Sequence, residues 1–170
     1  MKADYRESHL EPGKGESYHE AFLAKPYRRM VWEFERRVLA CILRDYYRNS
    51  EIRYLDFACG TGRILSYLAD RTEYSVGVDL SPSMLAVARR NNKGAEIIEA
   101  DLTQNDVLGE SQFDLITAFR FFPNAQPDLR REVMQILSRH LAEGGHVVFN
   151  NHKNTGSSLN RVARLLRRGF

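Results

Sequence analysis

Cysteine is scarce in this chain. Cys41 and Cys59 are the only two among 170 residues, too few for the disulfide framework of a secreted domain and not at metal-ligand spacing. Long apolar runs are also missing: the densest stretch, Val38 to Leu43, falls far short of the roughly 20 residues that cross a bilayer. The opening MKADYRESHLEPGKGESYHE is polar, contains acids and has no apolar core of a signal peptide. A cytoplasmic protein with no membrane association is the expectation. Internal repeats and low-complexity tracts are absent. A strong charge excess is absent too, because the formal net charge is only +3. That charge is uneven, with Arg161, Arg164, Arg167 and Arg168 crowded near the end. Such a run reads either as a solvated helix face or as a seat for nucleic acid or acidic lipid.

The composition that remains, 43% hydrophobic and 28% charged, is that of one globular domain able to bury a core without disulfides. Residues 1–27 read as a polar segment or lid, with Pro12, Gly13 and Gly15 breaking any helix. Residues 28–170 read as the core domain. From Arg28 to Arg48 the apolar residues Val31, Phe34, Val38, Cys41 and Ile42 recur at helical spacing, which predicts a long amphipathic helix with Cys41 in the core. Short apolar runs then alternate with helical patterns. Strands are expected at Ile52–Phe57, Tyr74–Asp79, Glu96–Ala100, Phe113–Phe119 and His146–Asn150. Between them, Ile64–Ala69 continues as a helix. Ser81 and Pro82 open another as N-cap and first helical residue. Pro127–Leu141 forms a further helix, closed by Gly144-Gly145 as a left-handed cap, and Leu159–Arg168 a last short one. This alternation implies parallel crossovers and a doubly wound, mainly parallel open α/β sheet.

Ligands of such sheets bind outside the carboxyl ends of the strands, and four strand ends carry informative residues. Asp56-Phe57-Ala58-Cys59-Gly60-Thr61-Gly62 forms a strand-to-helix turn in which glycines allow close approach to a ligand. A dinucleotide fingerprint wants a third small residue where Leu65 stands. Asp56 would repel a pyrophosphate and suits a ligand with a cationic ammonium group instead. Asp79 ends the second strand, where a carboxylate either accepts from both ribose hydroxyls or caps the next helix with Ser81. Leu80 and Met84 are placed to flank an adenine ring. Asp101 follows the third strand, as a turn residue or as acceptor for an exocyclic amine, with the Leu102 N–H beside a ring nitrogen. Ala118, Phe119, Arg120, Phe121, Phe122 and Pro123 form an apolar lip with one cation. Phe121 and Phe122 also suit plain core packing.

The segments YLDFACGTGRI, VGVDLSPSML, EADL and FDLITAFRFF, in this order and spacing, resemble the motifs of class I, Rossmann-like S-adenosylmethionine-dependent methyltransferases. The resemblance runs from about Arg28 to Asn150. It implies strand order 3-2-1-4-5 and S-adenosylmethionine as cofactor, leaving S-adenosylhomocysteine as product. By the resemblance, Gly60 and Gly62 pass the methionine part, Ala58, Cys59 and Thr61 bind the cofactor beside them, and Asp56 neutralises its ammonium directly or through water. Asp79 holds the ribose, Leu80 and Met84 sandwich adenine, and Asp101 and Leu102 meet its edge. Ala118, Phe119 and Arg120 line the pocket floor near the sulfonium, and Lys14 or Tyr18 covers it as a lid. His19 and His152 are the candidates for a base if the acceptor needs one; each also reads as a surface histidine.

The chain departs from the family at two points. Arg120-Phe121-Phe122-Pro123 stands where enzymes that methylate the amino groups of adenine or glutamine carry Asn-Pro-Pro-Tyr, and Cys59 belongs to the cofactor turn rather than to a cytosine C5 nucleophile. A small-molecule acceptor with an oxygen or nitrogen nucleophile is the leading reading. A methyltransferase-like scaffold without chemistry and a nucleic-acid methyltransferase are the alternatives, and Leu65 and Asp56 oppose an NAD-dependent oxidoreductase. The family sheet also has two further strands for which this chain leaves no room. The expectation is therefore a fragment, or a fifth-strand edge covered by the final helix or by a partner such as a second copy in a homodimer.

Overall fold

A computed structural model of the chain describes residues 5–7, 11, 13–48 and 51–151. A 3-10 turn at Tyr5–Glu7 precedes two helices, α1 (Lys14–Ala24) and α2 (Pro26–Tyr46). The rest alternates as expected: β1 (Arg53–Phe57), α3 (Arg63–Ala69), β2 (Tyr74–Asp79), α4 (Pro82–Asn91), β3 (Glu96–Glu99), β4 (Phe113–Thr117), α5 (Pro127–Arg139) and β5 (Leu141–Val148). The five strands form one sheet in the order β3-β2-β1-β4-β5, every pair parallel.

Side chains alternate across the pleat, so each strand feeds two cores. Leu55 and Ile116 pack on one face with Leu129, Val133 and Leu137 of α5. Tyr54 and Leu115 face the other way, onto Leu39 of α2 and Leu65 and Leu68 of α3. Helix α4 starts as its sequence predicts, with Pro82 in the first turn and the Ser81 Oγ accepting from the Met84 N–H at 3.4 Å. Among the described residues no helix is long and apolar enough to cross a membrane. The expected helix at Leu159–Arg168, with its arginines, lies outside the described residues.

Four expectations are corrected. Glycine does not break α1; Gly15 lies inside it, where an added Cβ would stand 2.1 Å from the Ser83 carbonyl oxygen. Its missing side chain lets α1 lie directly on the start of α4. Helix α2 is rotated from the face its apolar residues suggest: Glu35 and Leu39 are buried, while Met30, Phe34, Val38 and Cys41 are exposed. The buried carboxylate of Glu35 has cationic partners on the sheet side, and they hold the helix in that orientation. Helix α5 stops at Arg139, because the His140 carbonyl already accepts the Phe113 N–H at 2.8 Å and draws the chain into the sheet. Gly144 and Gly145 therefore sit within β5, at a register irregularity opposite Phe113 and Leu115, with Gly144 at φ +75°. The fourth strand ends at Thr117, short of Phe119, since Arg120 turns the chain at φ +64°.

Candidate cofactor site

The ends of β1, β2 and β4 are held together by two carboxylates. Asp56 in β1 is only 1% exposed. One of its oxygens accepts from the Thr117 hydroxyl at 2.7 Å and the other from the Leu65 N–H at 3.1 Å. Burial pushes its carboxyl up to about 7; the bonds from Thr117 and Leu65 oppose that rise, and the charge of Asp79 adds to it. Asp79, at the end of β2, accepts from the Gly60 N–H at 2.8 Å and the Ser81 N–H at 2.9 Å. One carboxylate thus spans the turn after β1 and the turn after β2, fastening the start of the Ala58–Gly62 turn to the start of α4.

The turn between Phe57 and α3 needs left-handed backbone at Ala58 (φ 55°), Gly60 (φ 56°) and Gly62 (φ 74°). Glycine takes that conformation without cost, whereas Ala58 is strained there, as residues at functional turns often are. The Cys59 N–H donates to the Val78 carbonyl at 3.0 Å and fixes the turn over β2. Its buried thiol is pushed up by desolvation.

Above these ends lies a cavity of ≈ 230 Å³. Of the residues expected in the site, Tyr18, Asp56, Ala58, Cys59, Gly60, Thr61, Asp79, Leu80, Met84, Asp101, Leu102, Phe119 and Arg120 all line it. Gly62 and Ala118 do not. Gly62 opens α3 against α4, where a Cβ would meet the Asn92 Nδ2 at 2.5 Å. Ala118 is fully buried behind the wall and donates its N–H to the Val148 carbonyl at 3.0 Å. Asp101 takes its turn role, accepting from the Thr103 N–H and hydroxyl at 2.9 and 2.6 Å. Lys14 and His19 are not among the lining residues, and His152 lies outside the described residues. Among the described residues no cluster of three or more His, Cys, Asp or Glu is placed to hold a metal ion.

Four residues of the site escaped sequence reading. Tyr5 stacks edge-on against Phe121, with ring centroids 5.6 Å apart, and donates its hydroxyl to the Arg120 carbonyl at 3.4 Å. Burial, followed by the charge of Asp79, pushes its phenol up to about 12. Arg6 reaches Thr103 at 3.3 Å and Asp101 at 3.7 Å. The Tyr5–Glu7 turn thereby straps over the cavity from β3 to β4. Arg63 lines the wall as the first residue of α3, and Glu35 stands behind it. The Arg120 Nη2 donates to both Glu35 oxygens at 3.1 Å, and the Arg63 Nη2 lies 3.8 Å from Oε2. No local period marks Tyr5 or Arg6. A charged residue on the apolar side of α2 was the one available signal for Glu35.

The geometry agrees with what the chain is similar to. Residues 55–145, just over half the chain, match the family model described as a methyltransferase domain. The malonyl-[acyl-carrier protein] O-methyltransferase of Enterobacter lignolyticus is 30% identical over 126 residues, 74% of this chain and 49% of that protein. The bovine (Bos taurus) 18S rRNA (guanine-N(7))-methyltransferase is 36% identical over 74 residues, 42% of this chain and 26% of that one. The solved structure of an S-adenosylmethionine-bound amino pentose methyltransferase from Micromonospora echinaspora superposes with TM-score 0.64 at 30% identity, covering 78% of this chain and 55% of that chain. The chain spans about half or less of the length of the curated relatives it matches. With its sheet order, its glycine turn and the match across β1–β5, this chain belongs to the methyltransferase domain family.

Proposed function

We propose that the cavity holds S-adenosylmethionine and that the protein transfers its methyl group to an oxygen or nitrogen atom of a small molecule. The observation that carries this reading is the Asp79 carboxylate, fastened to the Gly60 N–H at 2.8 Å and lining the cavity. It suits a sugar with unmodified hydroxyls and disfavours a phosphorylated one.

The residues present fit this cofactor. Leu80 and Met84 supply apolar walls for adenine, and Asp101 with the Leu102 N–H supplies a polar edge. The turn Ala58–Gly62 offers backbone to the methionine part. Asp56 lies beneath the turn with both oxygens engaged by Thr117 and Leu65, and in its ionised form, above about pH 7, its charge acts on an ammonium group. When bound, the cofactor supplies an electrophilic methyl group on sulfur. The chain's part is to hold, orient and dehydrate: Tyr5, Arg6 and Tyr18 close the cavity as a lid, and Phe119 and Arg120 line the wall after β4. Orientation and desolvation of this kind contribute on the order of 7–11 kcal/mol in favourable cases. No histidine lines the cavity among the described residues; of the two candidate bases, His152 lies outside them.

Small-molecule acceptors are supported by the amino pentose and malonyl relatives. The test is incubation with methyl-labelled S-adenosylmethionine and separate pools of amino sugar nucleotides, carboxylated thioesters and RNA. Label in either of the first two supports the reading. Label only in RNA favours the second reading, which rests on the bovine relative, and steep salt dependence would accompany it. Absence of label in every pool supports a scaffold that keeps the donor site without chemistry. For the edge of β5, which no described strand pairs, and the exposed Tyr27, Met30, Phe34 and Val38 of α2, the proposed cover is a second copy of the chain; a monomer at every loading in sedimentation contradicts it.

A further inference from the structure

The cavity wall carries a charge that the donor site does not use. Glu35 is 9% exposed, and the Arg63 and Arg120 side chains beside it are 17% and 25% exposed. Arg120 donates to both Glu35 oxygens, and Asn150 Nδ2 donates to Oε1 at 3.1 Å. Among the described residues two guanidinium groups stand against this one carboxylate, and all three side chains are at most a quarter exposed. A charge so placed is costly unless something answers it.

Arg63 is the less engaged of the two. Its guanidinium lies over the Phe22 ring at 3.9 Å and near the Trp32 ring at 5.2 Å. Among the described residues its Nε is buried without a hydrogen-bond partner, and its one ion pair is the 3.8 Å approach to Glu35. A guanidinium fork of five N–H donors, fixed by rings and underused, matches the two oxygens of a carboxylate or phosphate. Arg120 is held just as firmly: its backbone is at φ +64°, and its N–H donates to the Asn150 Oδ1 at 2.6 Å. Both arginines line the one cavity.

We infer that Arg63 and Arg120 form an anion seat for the methyl acceptor, which therefore carries a carboxylate or phosphate group. The inference rests on the reading of the cavity as a methyl-donor site. Glu35 tunes the seat by cancelling one of its two charges.

The test is calorimetric titration of the full chain with inorganic pyrophosphate and with malonate, both free and saturated with S-adenosylhomocysteine. Arg63→Met, Arg120→Met and Glu35→Gln are measured beside it. In the saturated wild type at least one probe binds. Each arginine variant weakens that binding about tenfold or more, the loss of a charged hydrogen bond, and weakens it by a larger factor than it weakens S-adenosylhomocysteine. Glu35→Gln strengthens probe binding about threefold or more by unmasking a charge, a gain that misfolding cannot produce. Failure of both probes to bind, or equal binding by wild type and all three variants, overturns the inference. It is also overturned if Arg63→Met weakens S-adenosylhomocysteine but not 5′-methylthioadenosine, which lacks the carboxylate, because the seat then serves the donor. If S-adenosylhomocysteine does not bind at all, the donor reading fails, and Glu35→Gln in the free chain still decides the seat.

Discussion

The Asp56 carboxylate of β1 accepts a 2.7 Å hydrogen bond from the hydroxyl of Thr117, its register partner in β4. The same hydroxyl lies 2.6 Å from that of Tyr54, so a polar chain runs through the sheet interior under the cavity. Burial raises the Asp56 carboxyl from 3.8 to about 7 in the folded protein. Between those values the folded chain keeps a proton that the unfolded chain has lost. Stability from this group is therefore greatest at low pH, falls as pH rises from about 4 to about 7, and stays lost above that. Asp56→Asn removes the dependence. Urea unfolding at pH 4 and pH 8 is expected to shift in favour of the variant by about 3–4 kcal/mol across that range. Parallel profiles would show that Asp56 is ionised in the fold.

The contact between α1 and α4 depends on the missing side chain of Gly15. A Cβ there would stand 2.1 Å from the Ser83 carbonyl oxygen, and backbone does not yield as a side-chain end would. Gly15→Ala is expected to cost about 1–3 kcal/mol and to weaken ligand binding, because Tyr18 rides on the same helix. Glu16→Ala, which removes the exposed pair with Arg90, should leave both nearly unchanged. Denaturation and ligand titration of the two variants check the contrast.

His140 is a structural rather than catalytic histidine. It is 2% exposed; its Nδ1 donates to the Ser111 carbonyl at 2.8 Å, and its Nε2 lies 2.9 Å from Asp106. It fastens the loop before β4 to the end of α5. His140→Ala is expected to destabilise by about 2–4 kcal/mol by stripping both groups of their partner. Cofactor affinity, measured well below the lowered melting temperature, stays at its wild-type level.

The Tyr5–Arg6 strap predicts a kinetic effect. Tyr5→Ala removes the ring on Phe121 and the bond to the Arg120 carbonyl, both made across the cavity. S-adenosylhomocysteine should dissociate about three- to tenfold faster, with little change in association. Stopped-flow displacement reads this directly, and an unchanged off-rate removes the lid role.

The strand-helix alternation, the glycine turn and the acids at strand ends were legible because each is local. Ser81-Pro82 announces α4 by capping chemistry, Asp79 closes β2, and Asp101 comes two residues after β3. What escaped was set by distant partners. The face that α2 turns inward is decided by Arg63 and Arg120, which lie far along the chain from Glu35. Gly15 reads as a helix breaker until Ser83 is seen against it. Gly144-Gly145 reads as a helix cap until the His140 carbonyl is found paired with Phe113. Tyr5 and Arg6 belong to a polar stretch without period, and only the strand ends beneath them give them a place in the site.

Calorimetric titration of the purified chain with S-adenosylmethionine and S-adenosylhomocysteine, beside Asp79→Ala, decides whether the cavity is a methyl-donor site. Saturable binding of both ligands by the wild type and its loss in the variant are expected, with the variant's circular dichroism unchanged. No binding by a folded wild-type chain, or equal binding by Asp79→Ala, would contradict that assignment.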